Sequence, residues 1–352
     1  MGSLESLWRL LEQESKGGIV QSQTATLTRL RYSLANFPEV VALVSFLAVF
    51  VFFAVAADNF LTPLAISNIL TFASITGIVV VGVAMLMISG EFDLSVGSTF
   101  AVASYVFALS MNTGVAPIVA LLLALIVSAL LGLINGLIVT GTGIPSFITT
   151  LGTMLAFRGI ARAIGGGDFA RYTGDPQALF DFLNGGIDRI NQLFTPAGNF
   201  RVSIIWFIVI AIVISLVLMR TRYGNWVFAV GGNPGAALSQ GVTVKRVKVI
   251  NFVLTGLLAG IASVMQFAHR LSVDPLRGEG MELIAVAACV IGGVQLTGGH
   301  GTIFGACVGM LLLQMLEQGL VLMQVPVQIF QAVAGLILLI AVISNTYLSR
   351  QG

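Results

Sequence analysis

The chain has 352 residues, of which 57% are hydrophobic and only 9% are charged, and its mean hydropathy is +1.00. Soluble domains carry about a quarter of their residues as charged side chains, so this composition excludes an ordinary soluble protein. A helical span needs about 20 apolar residues, and the length therefore allows roughly ten spans plus connections. The net charge of +2 does not indicate nucleic-acid binding. We predict an all-α polytopic membrane protein.

Apolar runs divide the chain into three parts. Residues 1–38 are polar and are expected to form a cytoplasmic segment with an amphipathic surface helix from Leu4 to Leu11. No short apolar core precedes a small-residue cleavage site, so no signal peptide is predicted. Residues 39–346 form the predicted transmembrane domain, and residues 347–352 a cytoplasmic tail. The ten spans are predicted at about 40–57, 64–88, 99–111, 117–139, 146–164, 204–219, 249–269, 283–294, 303–323 and 327–343.

Basic side chains orient these spans. Residues 220–248 contain no acid, and their basic residues are Arg220, Arg222, Lys245, Arg246 and Lys248. Because Lys and Arg resist translocation, this loop and both termini are expected in the cytoplasm, and the hydrophilic stretch 165–202 outside. Within the loop, Pro234 is suited to start a short helix, 235–240, which Gly241 would end. Such a helix offers a surface to a soluble partner, and the alternative is a plain basic loop that only sets topology.

Two acids, Glu91 and Asp93, lie in the turn between spans 2 and 3. Charges at membrane depth cost a few kcal/mol and usually mark a pathway. Asp93 is also placed to cap span 3, whereas for Glu91 a gating role and contact with a solute stay open. Spans 2–3 and 8–9 share a glycine-interrupted turn, followed by Gly-Ser-Thr-Phe (97–100) or Gly-Thr-Ile-Phe (301–304). Interrupted segments in matching places indicate a transport pathway, although chance is the alternative in a chain with 40 glycines.

Arg158 and Arg162 are one helical turn apart and share a face of span 5. They are predicted to line an outer vestibule or to meet a docking partner, and the alternative is snorkelling to the interface. Small residues spaced four apart predict close helix packing, at Gly132 and Gly136, Gly256 and Gly260, and Gly305 and Gly309. Nucleotide-binding and hydrolase motifs are missing, so the chain is predicted to be no enzyme. No metal site is expected, because Cys289 and Cys307 read as buried apolar residues.

Three motifs together resemble the permeases of ribose/xylose-type ABC sugar importers. Gly90-Glu-Phe-Asp-Leu-Ser-Val-Gly-Ser98 is similar to the family's Gly-[apolar]-Asp-Leu-Ser-Val-Gly signature. Gly143-Ile-Pro-Ser-Phe-Ile-Thr-Thr-Leu-Gly-Thr153 resembles the family's segment on span 5, and Ile291-Gly-Gly-Val-Gln-Leu-Thr-Gly-Gly-His-Gly-Thr302 a third family stretch. Glu91 departs from the signature by adding an acid and one residue of length. Gly235 departs from the family's coupling-helix segment, which often has an acid two residues after the position of Asn233.

The resemblance implies an ABC importer permease fold and a transmembrane subunit that imports a monosaccharide or related polyol. Implied partners are a second permease copy, two cytoplasmic ATP-binding subunits, and a periplasmic or lipid-anchored sugar-binding protein in the bacterial plasma (inner) membrane. ATP and Mg²⁺ would bind the ATPase partner, so no cofactor is expected on this chain. ATPase coupling is assigned to Asn233, Pro234, Ala236, Ala237 and Gly241, and the translocation path or gate to Glu91, Asp93, Ser95, Ser146 and Thr149.

Other transport functions remain open from the sequence. Related permeases share the Asp-Leu-Ser-Val-Gly theme, so a branched-chain amino acid, a nucleoside or a furanose signal is an alternative substrate. An ion-coupled secondary transporter is the alternative from a different class. The scarcity of intramembrane acids argues against ion coupling, because proton relays are built from series of such groups.

Overall fold

The computed structural model describes residues 38–175, 177–195 and 197–326, together with positions 329, 332, 333, 335, 336 and 339. This part of the chain is almost entirely helical. Two short strands, β1 (Ala170–Arg171) and β2 (Ser272–Val273), form an antiparallel pair. The helices are α1 (Pro38–Ala56), α2 (Pro63–Ile88), α3 (Val96–Asn112), α4 (Pro117–Thr142), α5 (Ser146–Ile164), α6 (Ala178–Asn184), α7 (Asp188–Asn191), α8 (Val202–Arg220), α9 (Arg222–Gly232), α10 (Pro234–Ser239), α11 (Val244–Arg270), α12 (Met281–Ile291) and α13 (Ile303–Leu322).

Six of these helices are long and apolar enough to cross a membrane: α2, α4, α5, α8, α11 and α13. Shorter apolar helices occur at 40–56 in α1, in α3 and in α12. The prediction of a polytopic helical membrane protein is therefore confirmed. Nine of the ten predicted spans correspond to these helices, whereas the tenth falls almost entirely outside the described residues. The helix from Leu4 to Leu11 and the tail 347–352 also lie outside them, and the ten-span count and the orientation of the termini stay predictions.

Two helices begin three or more residues before the predicted start of their spans. Helix α3 starts at Val96 rather than Thr99, and α11 starts at Val244 rather than Val249. The first two turns of α11 contain three basic residues, which hydropathy assigns to a loop. Helix α12 ends at Ile291 and has 11 residues, or about 16 Å, which is roughly half the thickness of a bilayer's hydrocarbon core.

Helix α2 is the central helix of the bundle, and it packs against α8, α11, α12 and α13. Nearly every residue of its second half is buried. Two of its polar side chains, Ser67 and Ser74, are buried against protein. Ser74 Oγ donates to Ser203 Oγ over 2.9 Å, and Ser67 Oγ accepts from the backbone N–H of Asn199 over 2.7 Å. These contacts fix the start of α8 against α2.

Glycines allow the predicted close helix packing. Between α4 and α11, a Cβ added at Gly132 would lie 2.3 Å from the carbonyl oxygen of Phe252, and one at Gly256 would lie 2.4 Å from that of Ser128. A second close pair joins the short α12 to α13. There a Cβ at Gly305 would lie 2.0 Å from the carbonyl oxygen of Gly292. Both interfaces therefore exclude any larger residue at these points.

The hydrophilic stretch 165–202 is more ordered than a simple loop, since it contains β1, α6 and α7. Strand β1 pairs with β2, which immediately follows α11, and the N–H of Tyr172 donates to the carbonyl of Leu271 over 2.9 Å. The 165–202 stretch and the 271–280 loop thus meet at the C-terminal end of α11. Helix α10 lies just before the opposite end of α11, so these loops and the basic loop are separated by about 40 Å of helix.

Candidate functional site

The basic loop folds into two short helices, α9 and α10, each with a side-chain cap. Thr221 Oγ1 accepts from the N–H of Gly224 over 3.2 Å at the start of α9. Asn233 Oδ1 accepts from the N–H of Ala236 over 3.0 Å, and Pro234 occupies the first turn of α10, where its missing N–H is harmless. Gly241, with φ +81°, ends the segment as predicted. Helix α9 was not predicted.

The predicted coupling residues on α10 differ in their exposure. Ala236 is exposed, whereas Ala237 is only 4% exposed and packs against its own chain. The neighbouring Leu238 is 65% exposed, although it is a large apolar residue. An exposed leucine on a short capped helix has the character of an interface anchor. Ala236 and Leu238 are therefore exposed on α10, whereas Ala237 is not.

Three backbone segments meet at the end of α9, just before α10 in the chain, and we call this contact the glycine junction: Ile88–Gly90, Gly231–Gly232 and Gly298–Gly299. The N–H of Gly299 donates to the carbonyl of Ile88 over 2.8 Å. A Cβ added at Gly231 would lie only 1.8 Å from that carbonyl oxygen. Gly90, Gly298 and Gly299 also adopt φ values near +80°, which glycine tolerates best. The junction joins the end of α9 to both glycine-interrupted turns.

The turn between α2 and α3, residues 89–95, is the candidate gating turn. Asp93 is 1% exposed, and its Oδ1 accepts from the N–H and the hydroxyl of Ser95 over 2.8 and 2.6 Å. Asn135 of α4 donates to Ser95 Oγ over 2.7 Å. Ser95 is itself the N-cap residue of α3 and makes no side-chain cap bond. Asp93 therefore forms an Asx turn with Ser95, just before α3, rather than capping the first turn of α3 as expected.

The gating turn is attached to α5 by two hydrogen bonds from its backbone. The N–H of Phe92 donates to Ser146 Oγ over 3.0 Å, and the N–H of Leu94 donates to Thr150 Oγ1 over 3.1 Å. Thr149 lies on the same buried side, and its hydroxyl has no hydrogen-bond partner within the described residues. The structure thus brings the predicted residues Asp93, Ser95 and Ser146 together around one turn.

Glu91 is paired with a residue that the sequence did not indicate. Its carboxylate forms an ion pair with Lys248 in the second turn of α11, and Glu91 is only 7% exposed. One turn further along α11, the Tyr223 hydroxyl of α9 donates to Asn251 Oδ1 over 2.7 Å. Burial raises the pKa of Tyr223 above its ordinary value, so the hydroxyl stays protonated and keeps this bond at neutral pH. Both contacts connect the basic loop to the bundle.

The two arginines of α5 have different surroundings. Arg158 is half-buried and donates from Nη1 to the carbonyls of Pro275 and Arg277, over 3.2 and 2.7 Å. It therefore anchors the 271–280 loop, which leads into the short α12. Arg162 is exposed, and within the described residues its side chain makes no hydrogen bond or ion pair. Of the two residues, only Arg162 presents its full charged group at the surface.

Sequence reasoning missed four residues of this arrangement: Asn135, Thr150, Leu238 and Lys248. Asn135 carried a usable signal, because it is a lone amide within the long apolar α4, and such residues usually face protein. Lys248 carried none, since it counted among the loop's orienting charges. No group of three or more His, Cys, Asp or Glu residues that could hold a metal occurs in the described part of the chain.

Comparison with known proteins gives the family. The family described as "Branched-chain amino acid transport system / permease component" matches residues 65–342. The ribose import permease protein RbsC of Bacillus subtilis (strain 168) is 35% identical over 285 residues, which cover 81% of this chain and 85% of the relative. The D-allose transport system permease protein AlsC of Escherichia coli (strain K12) is 31% identical, covering 85% and 89% of the two chains.

The autoinducer 2 import system permease protein LsrC of Salmonella typhi is 32% identical over 308 residues, which cover 87% of this chain and 85% of the relative. No solved structure shows a significant match. The family match covers well over half of the chain, and the sequence-based family resemblance is confirmed. The chain belongs to the permease components of the branched-chain amino acid transport system family, and it is a multi-pass membrane transport protein.

Proposed function

We propose that this chain is the transmembrane subunit of an ATP-driven importer for a monosaccharide, located in the bacterial plasma (inner) membrane. Relatives named for ribose, D-allose and autoinducer 2 import cover more than four fifths of the chain and support the importer class. ATP and Mg²⁺ belong to separate ATPase subunits in this proposal. The chain's own part is to provide the path and to respond to the ATPase.

The observation that carries the proposal is that the exposed α10 follows directly in the chain from the α9 end of the glycine junction. A docking ATPase would cover Ala236 and Leu238 on the surface of α10. The end of α9, which leads into α10, contacts the backbone of Ile88 and Gly299 without intervening side chains. Displacement of α10 would therefore reach both glycine-interrupted turns. Motion of packed helices as rigid bodies is an established way to alternate access across a membrane.

The gating turn is proposed to close the inner end of the path, with Asp93 and Ser95 holding its shape and Ser146 and Thr149 bordering it on α5. Charged Glu91 is neutralised by Lys248, which suits passage of an uncharged, hydroxyl-rich solute. Selectivity is assigned to a separate binding protein, which would dock on the opposite end at the paired 165–202 and 271–280 loops, with Arg162 exposed nearby.

A second permease copy is proposed to pack on α5. Four small residues, Gly152, Ala156, Gly159 and Ala163, follow one another along the exposed face of this helix. A Cβ at Gly152 or Gly159 would meet nothing within 4 Å, so the stripe has no neighbour in the described chain. Small residues on membrane helices allow backbones of two helices to approach closely. The path would then run between the two copies, beside both α5 helices.

A branched-chain amino acid is the second candidate substrate, because the description of the matched family names that class. It differs from a monosaccharide in carrying an ammonium and a carboxylate group. The described part of the gating turn offers one uncompensated carboxylate, that of Asp93, and no free cation beside it. This arrangement favours the neutral solute.

The test is affinity purification of the tagged protein from native membranes, followed by uptake of radiolabelled D-ribose, D-allose and leucine into cells with and without the gene. Co-purification of an ATP-binding subunit, with ATP-dependent uptake of a sugar, is the expected result. Leucine uptake would replace the substrate class and keep the importer. A protein that purifies alone, with uptake that survives ATP depletion and collapses with the ion gradient, would instead establish a secondary transporter.

A further inference from the structure

The ion pair between Glu91 and Lys248 joins two segments that are far apart in the sequence. Glu91 lies in the gating turn, and Lys248 lies in the second turn of α11, a few residues after α10. The two side chains are only 9% and 20% exposed, respectively. Within the described chain, Glu91 is the partner of Lys248, and Lys248 is the partner of Glu91. The pair therefore satisfies two largely desolvated charges at once.

Burial separates this contact from an ordinary surface ion pair. Exposed pairs contribute little, because both charges are well solvated when they separate. When a buried pair is broken by removing one partner, an uncompensated charge remains in a poorly solvated site. Separation of the gating turn from α11 would leave each of these two charges without its partner. The contact thus resists being pulled apart.

The glycine junction has the complementary property. It brings backbone atoms into van der Waals contact at Gly90, Gly231 and Gly298, and only one hydrogen bond crosses it at Ile88. Van der Waals contact resists compression steeply but resists separation weakly. The junction can therefore push firmly on the end of α2, whereas it draws the turn back only through this one hydrogen bond. The ion pair supplies the link that holds under tension.

We infer that Lys248 is a positioning residue that holds the gating turn to α11 through Glu91. Movement of the basic loop is then carried to α5 in both directions. The far side of the turn is bound to Ser146 and Thr150 of α5 through the N–H groups of Phe92 and Leu94. The peptide from Glu91 to Leu94 is thus fastened at both sides. This inference rests on the proposed function, since it needs an ATPase to move α10.

The same geometry assigns a role to the acid by which this chain departs from the signature that it resembles. Glu91 is directed to Lys248 rather than left free for a solute. Its neighbour Asp93 is used within the turn, by Ser95. Of the two acids, Glu91 therefore connects the turn to another element, and Asp93 shapes it. Solute contact is not needed to explain either residue.

The experiment follows movement of α5 with an environment-sensitive dye on Phe147→Cys, beside Ser146, in a background with Cys289→Ala and Cys307→Ala. Phe147 is exposed, so its dye is accessible. The full complex of permease and ATPase subunits is placed in nanodiscs, and the emission change on adding ATP and vanadate is measured. Variants are Lys248→Met, Glu91→Gln and the exchanged pair Glu91→Lys with Lys248→Glu. The exposed Lys245→Met, on the same helix and without an ion pair in the described chain, is the matched control.

We expect each single variant to retain the ATPase subunits but to lose about fivefold or more of the emission change, the lower range for a coupling contact. The exchanged pair should recover most of it, and Lys245→Met should equal the parent. A full emission change in Lys248→Met, or failure of the folded exchanged pair to recover, overturns the inference, as does a parent complex that binds ATPase without any emission change. A parent that binds no ATPase refutes the proposed function, and the inference falls with it.

Discussion

Gly231 is the residue at which the glycine junction is most sensitive to added volume. An alanine there would place its Cβ 1.8 Å from the carbonyl oxygen of Ile88 and 2.5 Å from the backbone nitrogen of Gly299. Both obstacles are backbone atoms, which cannot rotate away as a flexible side chain would. The end of α9 must therefore move away from α2, and the hydrogen bond from Gly299 to Ile88 opens with it.

The cost follows from these contacts. Forcing a methyl group into a packed site costs about 1–3 kcal/mol, and the lost 2.8 Å hydrogen bond adds about 1 kcal/mol. Alanine gains up to about 1 kcal/mol over glycine in helix propensity, but Gly232→Ala gains the same in the same helix. A Cβ at Gly232 meets only the Cα of Gly299, at 3.9 Å. The difference between the two variants should therefore be about 2–4 kcal/mol in the free energy of unfolding.

Thermal unfolding in mild detergent measures this difference. For a chain of this size, each kcal/mol lowers the melting temperature by roughly 2 °C, so Gly231→Ala should melt roughly 4–8 °C below Gly232→Ala. Gly231→Ala should also show less ATP-dependent uptake than Gly232→Ala. Equal melting temperatures, with Gly232→Ala at the level of the parent, would refute the view that the three backbones are in direct contact.

Three further pairs of variants test other contacts. Asn233→Ala should destabilise α10 by about 1 kcal/mol and weaken ATPase co-purification, whereas Asn233→Ser keeps an oxygen for the cap and should retain it. Leu238→Asp should abolish that co-purification, whereas the same change at the exposed Leu193, in the loop at the other end of the bundle, should not. Arg158→Ala should make the 271–280 loop more sensitive to limited proteolysis by removing two hydrogen bonds, and Arg162→Ala should leave it unchanged.

Much of the fold could be predicted from the sequence, because the hydropathy of individual residues decides which segments enter lipid. Long apolar runs located α2, α4 and α8 to within a few residues. The proline and the final glycine located α10, since each acts on its own neighbours in the chain. The glycine spacing of α4 and α11 also predicted their close contact correctly.

The remainder depends on contacts between distant segments, which a single sequence does not encode locally. Helix α9 was missed because its glycines lower helix propensity, and its stability comes from packing on the bundle. Burial of Ala237 and exposure of Leu238 depend on which side of α10 faces α9. The pairing of Glu91 with Lys248 joins residues 157 apart, and each alone resembles an ordinary interface charge.

The shortness of α12 has a consequence for how the chain enters the membrane during synthesis. Eleven residues are too few to be inserted as an independent span, which needs about 20. Its contacts with α13 at Gly292 and Gly305 are backbone to backbone, so the two helices can associate without side chains in the way. We therefore expect the translocation machinery to release α12 and α13 into the bilayer together, as a helical hairpin. A ribosome stalled just after α12 should leave that segment outside the lipid.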